Sequence, residues 1–220
     1  GTMSSVLRLS LKERQQVKLN QACIATLDPS LNVESVATGG FLRSLARSFT
    51  GSKFFQTVVQ GPGNLELASV IPGDTRAISV TKGKSLRISN NNLLASSANM
   101  AVSAATKLKS IVNDSIVQTY VTAEESGGVV WVGGFGQIQK IQLLPGQELQ
   151  INAGLLVAME EPFDYELSRI GGWKTTFLSG HLIMLKFKGP GTLYTQARDF
   201  ERYRLLIAPE IHNHIELKTE

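Results

Sequence analysis

The stretch Ile141–Ala158, IQLLPGQELQINAGLLVA, decides the fold. Ile141 and Leu143 alternate with polar neighbours, and after Leu144-Pro145-Gly146-Gln147 the alternation resumes at Leu149 and Ile151, closing on Val157 and Ala158. A period of two places these residues on one face of a strand. Pro145 presets φ for an early turn position and Gly146 accepts a positive φ, so the run predicts a strand, a tight hairpin turn and a second strand. The same spacing recurs at Ile78, Val80, Leu86, Ile88, Leu94 and Ala95 around Thr81-Lys82-Gly83-Lys84. It occurs a third time, one residue shorter before its last pair, at Leu9, Leu11, Val17, Leu19, Ile24 and Ala25 around Lys12-Glu13-Arg14-Gln15, where Arg14 replaces the glycine and predicts a different first turn. Repetition on this scale marks one supersecondary unit used several times. The expected organisation is a single domain over 3–210 with repeats at about 6–68, 69–139 and 140–197, and a tail over 211–220.

Glycine corners punctuate these strands. Gly61-Pro62-Gly63 precedes Leu65 and Leu67, Gly134-Phe135-Gly136 precedes Ile138, and Gly189-Pro190-Gly191 precedes Leu193, with Pro72-Gly73 beside them. Glycine in such places marks tight bends or close backbone approach. A phosphate cradle would need a following helix and a Lys-Ser/Thr pair, which these segments lack. Together with Pro145 and Gly146, the corners are read as architecture. Two stretches depart from the β pattern. Leu42, Leu45, Ala46 and Phe49 fall at helical spacing beside Arg43 and Arg47, which predicts a short basic amphipathic helix over 41–49. Met100, Ala104, Leu108 and Ile111 have the same spacing, so 96–112 reads equally as helix or strand.

With 220 residues, 42% hydrophobic and 18% charged, the chain holds enough apolar material for a sizeable core. Apolar runs stay well below the roughly 20 residues that span a bilayer. Gly1 and Thr2 ahead of Met3 read as residues left by an expression vector, so a native targeting segment could have been cut away. Cys23 is the sole cysteine, which leaves no internal disulfide and reads as a buried small hydrophobe. The net charge of +4 is unevenly spread. Arg43, Arg47 and Lys53 form one acid-free stretch and Arg76, Lys82, Lys84 and Arg87 another, while Glu124, Glu125, Glu160, Glu161 and Asp164 gather elsewhere. Such asymmetry suits an anionic partner or an ordinary solvated surface.

Catalytic constellations are thin. His212 and His214 fall on one side of an extended segment, yet zinc takes three or four ligands and no further ligand is indicated. His181 beside Ser179 is not a triad, because the base must be aimed from elsewhere by a third group. Glu160, Glu161 and Asp164 read as a solvated acidic turn. Trp131 reads as core, whereas Trp173, in a glycine-flanked turn beside Lys174, is placed to dip into an interface. No enzyme activity, cofactor or metal is expected.

Beyond these local readings, GGFLRSLARSFTGSKFFQTVVQGPGNLELA, PGDTRAISV, NNLLASS, VWVGGFGQIQKIQLLPGQELQINAGLLVAME and SGHLIMLKFKGPGTLYTQAR resemble, in order and spacing, the altered-inheritance-of-mitochondria family, also called TRAP-like. The likeness covers nearly the whole chain. It implies an all-β fold of packed antiparallel sheets with internal pseudo-threefold repeats, a TRAP-like or jelly-roll-like sandwich, here with one short amphipathic helix. It also implies a non-enzymatic oligomeric scaffold or assembly factor, peripheral to the mitochondrial inner membrane, that supports cristae organisation and respiratory-complex integrity. Prokaryotic members of the family have no assigned reaction, and a prokaryotic cytoplasmic source is the alternative. Lys53 in GSKFF and His181 in SGHLIM stand where the family often has an acid. Expected partners are further copies of the chain, inner-membrane complexes and anionic lipid. Leu42, Arg43, Leu45, Arg47, Phe49, Lys53, Phe54, Phe55 and Trp173 are the candidate membrane or partner surface. A nucleic-acid module using 76–87 and 41–53 is the disfavoured alternative, since RNA binding does not transfer with a fold.

Overall fold

Alternating apolar residues turn one strand face towards a core, and in this chain they do so three times over. The structure, a computed structural model, describes residues 5–35, 49–50, 57–89, 92–104, 118–169, 183–200 and 202–207. The first unit comprises β1 (Val6–Leu11), β2 (Gln16–Leu19), β3 (Ile24–Leu27), β4 (Asn32–Ser35), β6 (Thr57–Gln60) and β7 (Gly63–Ala68), with the short β5 (Phe49–Thr50) between. The second comprises β8 (Thr75–Val80), β9 (Ser85–Ser89), β10 (Leu93–Ser97), β11 (Ala101–Ala104), β12 (Gln118–Thr122) and β13 (Gly128–Gly133). The third runs through β14 (Ile138–Leu143), β15 (Glu148–Asn152), β16 (Leu156–Glu161), β17 (Tyr165–Arg169), β18 (Ile183–Lys188) and β19 (Gly191–Gln196).

Each unit builds the same antiparallel ladders. The first strand pairs with the sixth in β1–β7, β8–β13 and β14–β19. The second pairs with the fifth in β2–β6, β9–β12 and β15–β18, and the fourth joins the same partner in β4–β6, β11–β12 and β17–β18. The third strand pairs with the sixth, with a one-residue bulge at Ala25, Leu94 and Val157 in turn. A bulge bends its strand and strengthens the local twist. Consecutive units are then stitched at shared sheets, β10 lying against β2 and β16 against β9.

Each unit supplies most of one core, and neighbouring units complete it: Leu94 and Ala95 enter the first and Ile138, Val157 and Tyr194 the second. Val17, Leu19, Leu65 and Leu67 fill the first, Ile78, Leu86, Val102 and Val130 the second, and Met159, Leu185, Phe187 and Leu193 the third. Burying side chains of this size stabilises by roughly 1.5–3 kcal/mol each before entropy is counted. Trp131 lies half-buried against the first core, although its strand belongs to the second unit.

Several expectations need correcting. The tight turns are not hairpins: β1 pairs with β7 while β2 pairs with β6 and β10, so the turn carries the chain from one sheet to another. Period-two alternation fixes which face a strand buries and says nothing about its neighbour. Nor does the first turn differ. Arg14 adopts φ 62, in the left-handed region that Gly83 and Gly146 occupy at φ 76 and φ 81. Phe49 lies in β5, which runs parallel to β11, rather than in a helix, while 41–48 fall outside the described residues. Among the described residues helix occurs as 3-10 turns at Gln21–Cys23 and Ala153–Leu155 and an α-helical stretch over 202–207. Within 96–112 the described part, up to residue 104, is strand and turn, because β11 finds a partner in β12 and tertiary pairing overrides local spacing.

Candidate functional site

The glycine corners fall into distinct groups. Gly61-Pro62-Gly63 and Gly189-Pro190-Gly191 each link the fifth strand of a unit to the sixth and contain cis peptide bonds before Pro62 and Pro190. They pack on the tight turns: Gly61 N donates to Gln15 O at 2.9 Å and Gly189 N to Gln147 O at 2.8 Å. Pro145 and Gly146 belong to the latter turn. In the second unit the corresponding place is taken by residues 123–127, where Ala123 N donates to Lys84 O at 3.0 Å. Gly134-Phe135-Gly136 therefore is not a third copy of the corner. With Pro72-Gly73 it forms the junctions between units, where Gly73 and Gly136 bridge in parallel. Asp74 N donates to Gly136 O at 2.9 Å and Gly134 N to Asp74 O at 3.0 Å, while Ser5 N reaches Gly73 O at 2.8 Å. Buried Asn92 and Gln196 reinforce this hub, Asn92 Nδ2 donating to Gln196 Oε1 at 3.1 Å and Phe135 N to the same oxygen at 2.9 Å.

The seams between units carry cations, one buried and one partly buried. Lys18, Arg87 and Gln150 occupy the same place in β2, β9 and β15, each following its tight turn at the same distance. Lys18 is fully buried and its Nζ donates to Met100 O at 2.7 Å, crossing from the first unit into the second. Burial pushes its pKa down to about 8, against a smaller opposing pull from Glu124. Arg87 crosses the second seam, with Nε 2.5 Å from Glu161 Oε1 and its guanidinium over the rings of Tyr120 and Tyr165 at 5.4 and 5.7 Å. Burial pulls the guanidinium down, and the bond and charge of Glu161 more than reverse this. Further hydrogen bonds extend both seams: the backbone Asn20 N donates to Leu94 O at 3.0 Å and the side-chain Ser89 Oγ to Leu156 O at 2.6 Å.

A third seam would join β3 to β15, and there the two edges stay apart. Among the described residues β3 is bonded to β7 alone and β15 to β18 alone, each at the end of a three-stranded sheet. The contrast in burial is direct. Leu94 and Val157, the bulged residues of β10 and β16, are buried, whereas Ala25 in β3 is exposed. Gln150 is likewise exposed where Lys18 is sealed.

Of the residues singled out as a membrane or partner surface, Leu42, Arg43, Leu45, Arg47, Lys53, Phe54, Phe55 and Trp173 lie outside the described residues, as do His181, His212 and His214. Phe49 is placed only as part of β5. Arg76 is used inside the fold, donating to Ile138 O at 3.2 Å and lying over the Tyr194 ring at 5.7 Å. Lys82 and Lys84 are exposed at their turn, so the basic run 76–87 is split between interior and surface. No group of three or more His, Cys, Asp and Glu that could hold a metal occurs among the described residues, and no described helix is long and apolar enough to cross a membrane. The unpaired edges escape sequence reading, because pairing is a property of neighbours; the one trace is Gln150, neutral where its counterparts are Lys18 and Arg87.

Known proteins resemble the chain along most of its length. The family model described as Mitochondrial biogenesis AIM24 matches residues 1–198. An uncharacterised protein of Streptococcus pyogenes serotype M6 is 26% identical over 183 residues, covering 81% of this chain and 73% of that protein. The crystal structure of a Streptococcus pyogenes protein superposes with a TM-score of 0.76 at 19% identity, covering 96% of each chain, so the two share a fold.

Proposed function

This chain belongs to the family described as Mitochondrial biogenesis AIM24, and from that premise we propose that it is a non-enzymatic scaffold or assembly factor working as an oligomer. In a mitochondrion it would serve at the periphery of the inner membrane, supporting cristae organisation and the integrity of respiratory complexes through protein partners and anionic lipid, without a cofactor. The observation that carries this reading is that, among the described residues, β3 and β15 are sheet edges although their counterparts β10, β16, β2 and β9 all pair across units. Edges of this kind present rows of N–H and C=O groups that recruit another chain unless something blocks them. The seams agree with a structural role: buried Lys18 and partly buried Arg87 bond across from one unit to the next.

The similar proteins from Streptococcus pyogenes place this architecture in bacteria as well. A bacterial member would act as the same kind of scaffold in the cytoplasm or on the inner face of the cell membrane.

Flotation with neutral and anionic liposomes at low and moderate salt, with the solution mass measured by light scattering on the same sample, tests the proposal. A defined multimer that rises with anionic vesicles and is released by salt is the expected result. A monomer indifferent to both kinds of vesicle would overturn it.

A further inference from the structure

We propose that β3 of one copy pairs antiparallel with β15 of a second copy, repeating between molecules the seam that β2–β10 and β9–β16 form within one. This deepens the scaffold reading and rests on it for the claim that the chain assembles at all. Continuity with the internal seams supplies the register. There, Ala95 faces Leu19 and Ser96 faces Lys18, while Ala158 faces Ile88 and Met159 faces Arg87. The same offset sets Thr26 opposite Ile151 and Leu27 opposite Gln150.

Hydrogen-bond parity agrees with that register. In an antiparallel ladder, successive residues point N–H and C=O to alternate sides. Asp28 N donates to Asn64 O in the strand below, at 2.9 Å, so the backbone groups of Leu27 face the free side. In the first seam Asn20 N donates to Leu94 O, and the corresponding atoms at the free edges are Asn152 N and Ala25 O. Donors and acceptors on the two edges therefore match one to one.

The bulge at Ala25 is no obstacle. Bulges often guard edges against pairing, yet β10 and β16 carry the same bulge and pair regardless. Joining the two three-stranded sheets would give the strand count of the six-stranded sheet formed at the first seam. Because the contact uses two different surfaces, it is head-to-tail and closes a ring or extends a filament according to the angle between copies.

Two full-length chains, Leu27→Cys and Gln150→Cys, each also carrying Cys23→Ser, are mixed and oxidised. Directly opposed residues of a hydrogen-bonded pair lie about 5.5 Å apart at Cα, within disulfide reach. A covalent dimer is expected from the mixture and little from either chain alone. Separately, Gln150→Pro should weaken self-association at least about tenfold in sedimentation without lowering the unfolding temperature, since proline is tolerated where an edge N–H faces solvent. A doubly substituted Leu27→Cys/Gln150→Cys chain that closes quantitatively on itself would overturn the proposal by making the seam internal. An oligomer untouched by Gln150→Pro, with no mixed cross-link, would overturn it and leave the scaffold reading standing; a chain monomeric at every concentration would remove both.

Discussion

Lys18 Nζ donates a 2.7 Å hydrogen bond to the carbonyl oxygen of Met100, placing a cation from the first unit in the sealed seam with the second. A buried ammonium is held down to a pKa of about 8 from its ordinary 10.5, with burial as the leading cause. The unfolded chain therefore holds more protons than the folded chain between these values, and stability rises with pH across that window. Urea unfolding from pH 8 to 10.5 should show a gain on the order of 3 kcal/mol for the parent chain relative to Lys18→Met, which has no such group to titrate. Parallel pH profiles for the two would contradict the assignment.

Glu161→Gln tests the second seam. Removing the carboxylate leaves Arg87 in the seam without its countercharge, and because both side chains are partly exposed the expected cost is about 1–3 kcal/mol. A melting temperature within a degree or two of the parent would show that Tyr120 and Tyr165 suffice to hold the guanidinium.

Gly73→Ala and Gly83→Ala separate two reasons for glycine. A Cβ on Gly73 would meet the backbone of Gly134 and Gly136, including Gly136 O at 2.8 Å, so a loss of about 3 kcal/mol or more is expected in chemical denaturation. At Gly83 the space is open and only φ +76 resists, which limits the loss to about 1–2 kcal/mol. Equal losses would mean that the hub is looser than its geometry requires.

Arg14→Gly should stabilise. Arg14 holds φ 62, a conformation that costs a side chain about 1 kcal/mol or more and glycine little. A gain of about 0.5–1 kcal/mol is expected after the extra entropy of unfolded glycine is counted; a loss would show that the Arg14 side chain makes a contact worth more than its strain.

Alternation and its repetition made the strands, the threefold pattern and the core residues legible, since facing inward every second position leaves a mark in composition. Val17, Leu19, Leu86, Ile88 and Ile151 all point into cores as their spacing requires. Pairing left no such mark: Lys12–Gln15 looks like a hairpin turn and is a crossing between sheets, because the partner of β2 lies far along the chain in β6 and β10. The glycine triplets showed the same ambiguity. Gly61-Pro62-Gly63 and Gly134-Phe135-Gly136 share spacing, yet one turns within a unit and the other joins two units. The seam cations were equally hidden: Arg87 reads in sequence as one member of an acid-free basic run, and no spacing marks Lys18 as a residue of the interior.

The most direct test of the open seam is amide hydrogen exchange of β3 and β15 as a function of protein concentration. In dilute solution the amides of Leu27 and Gln150 should exchange rapidly while those of Ser96 and Met159, in the internal seams, stay protected, and protection at Leu27 and Gln150 should rise together as the chain is concentrated. Equal protection of all four at every dilution would mean that the third seam is already closed within one chain, contradicting an assembly built on its open edges.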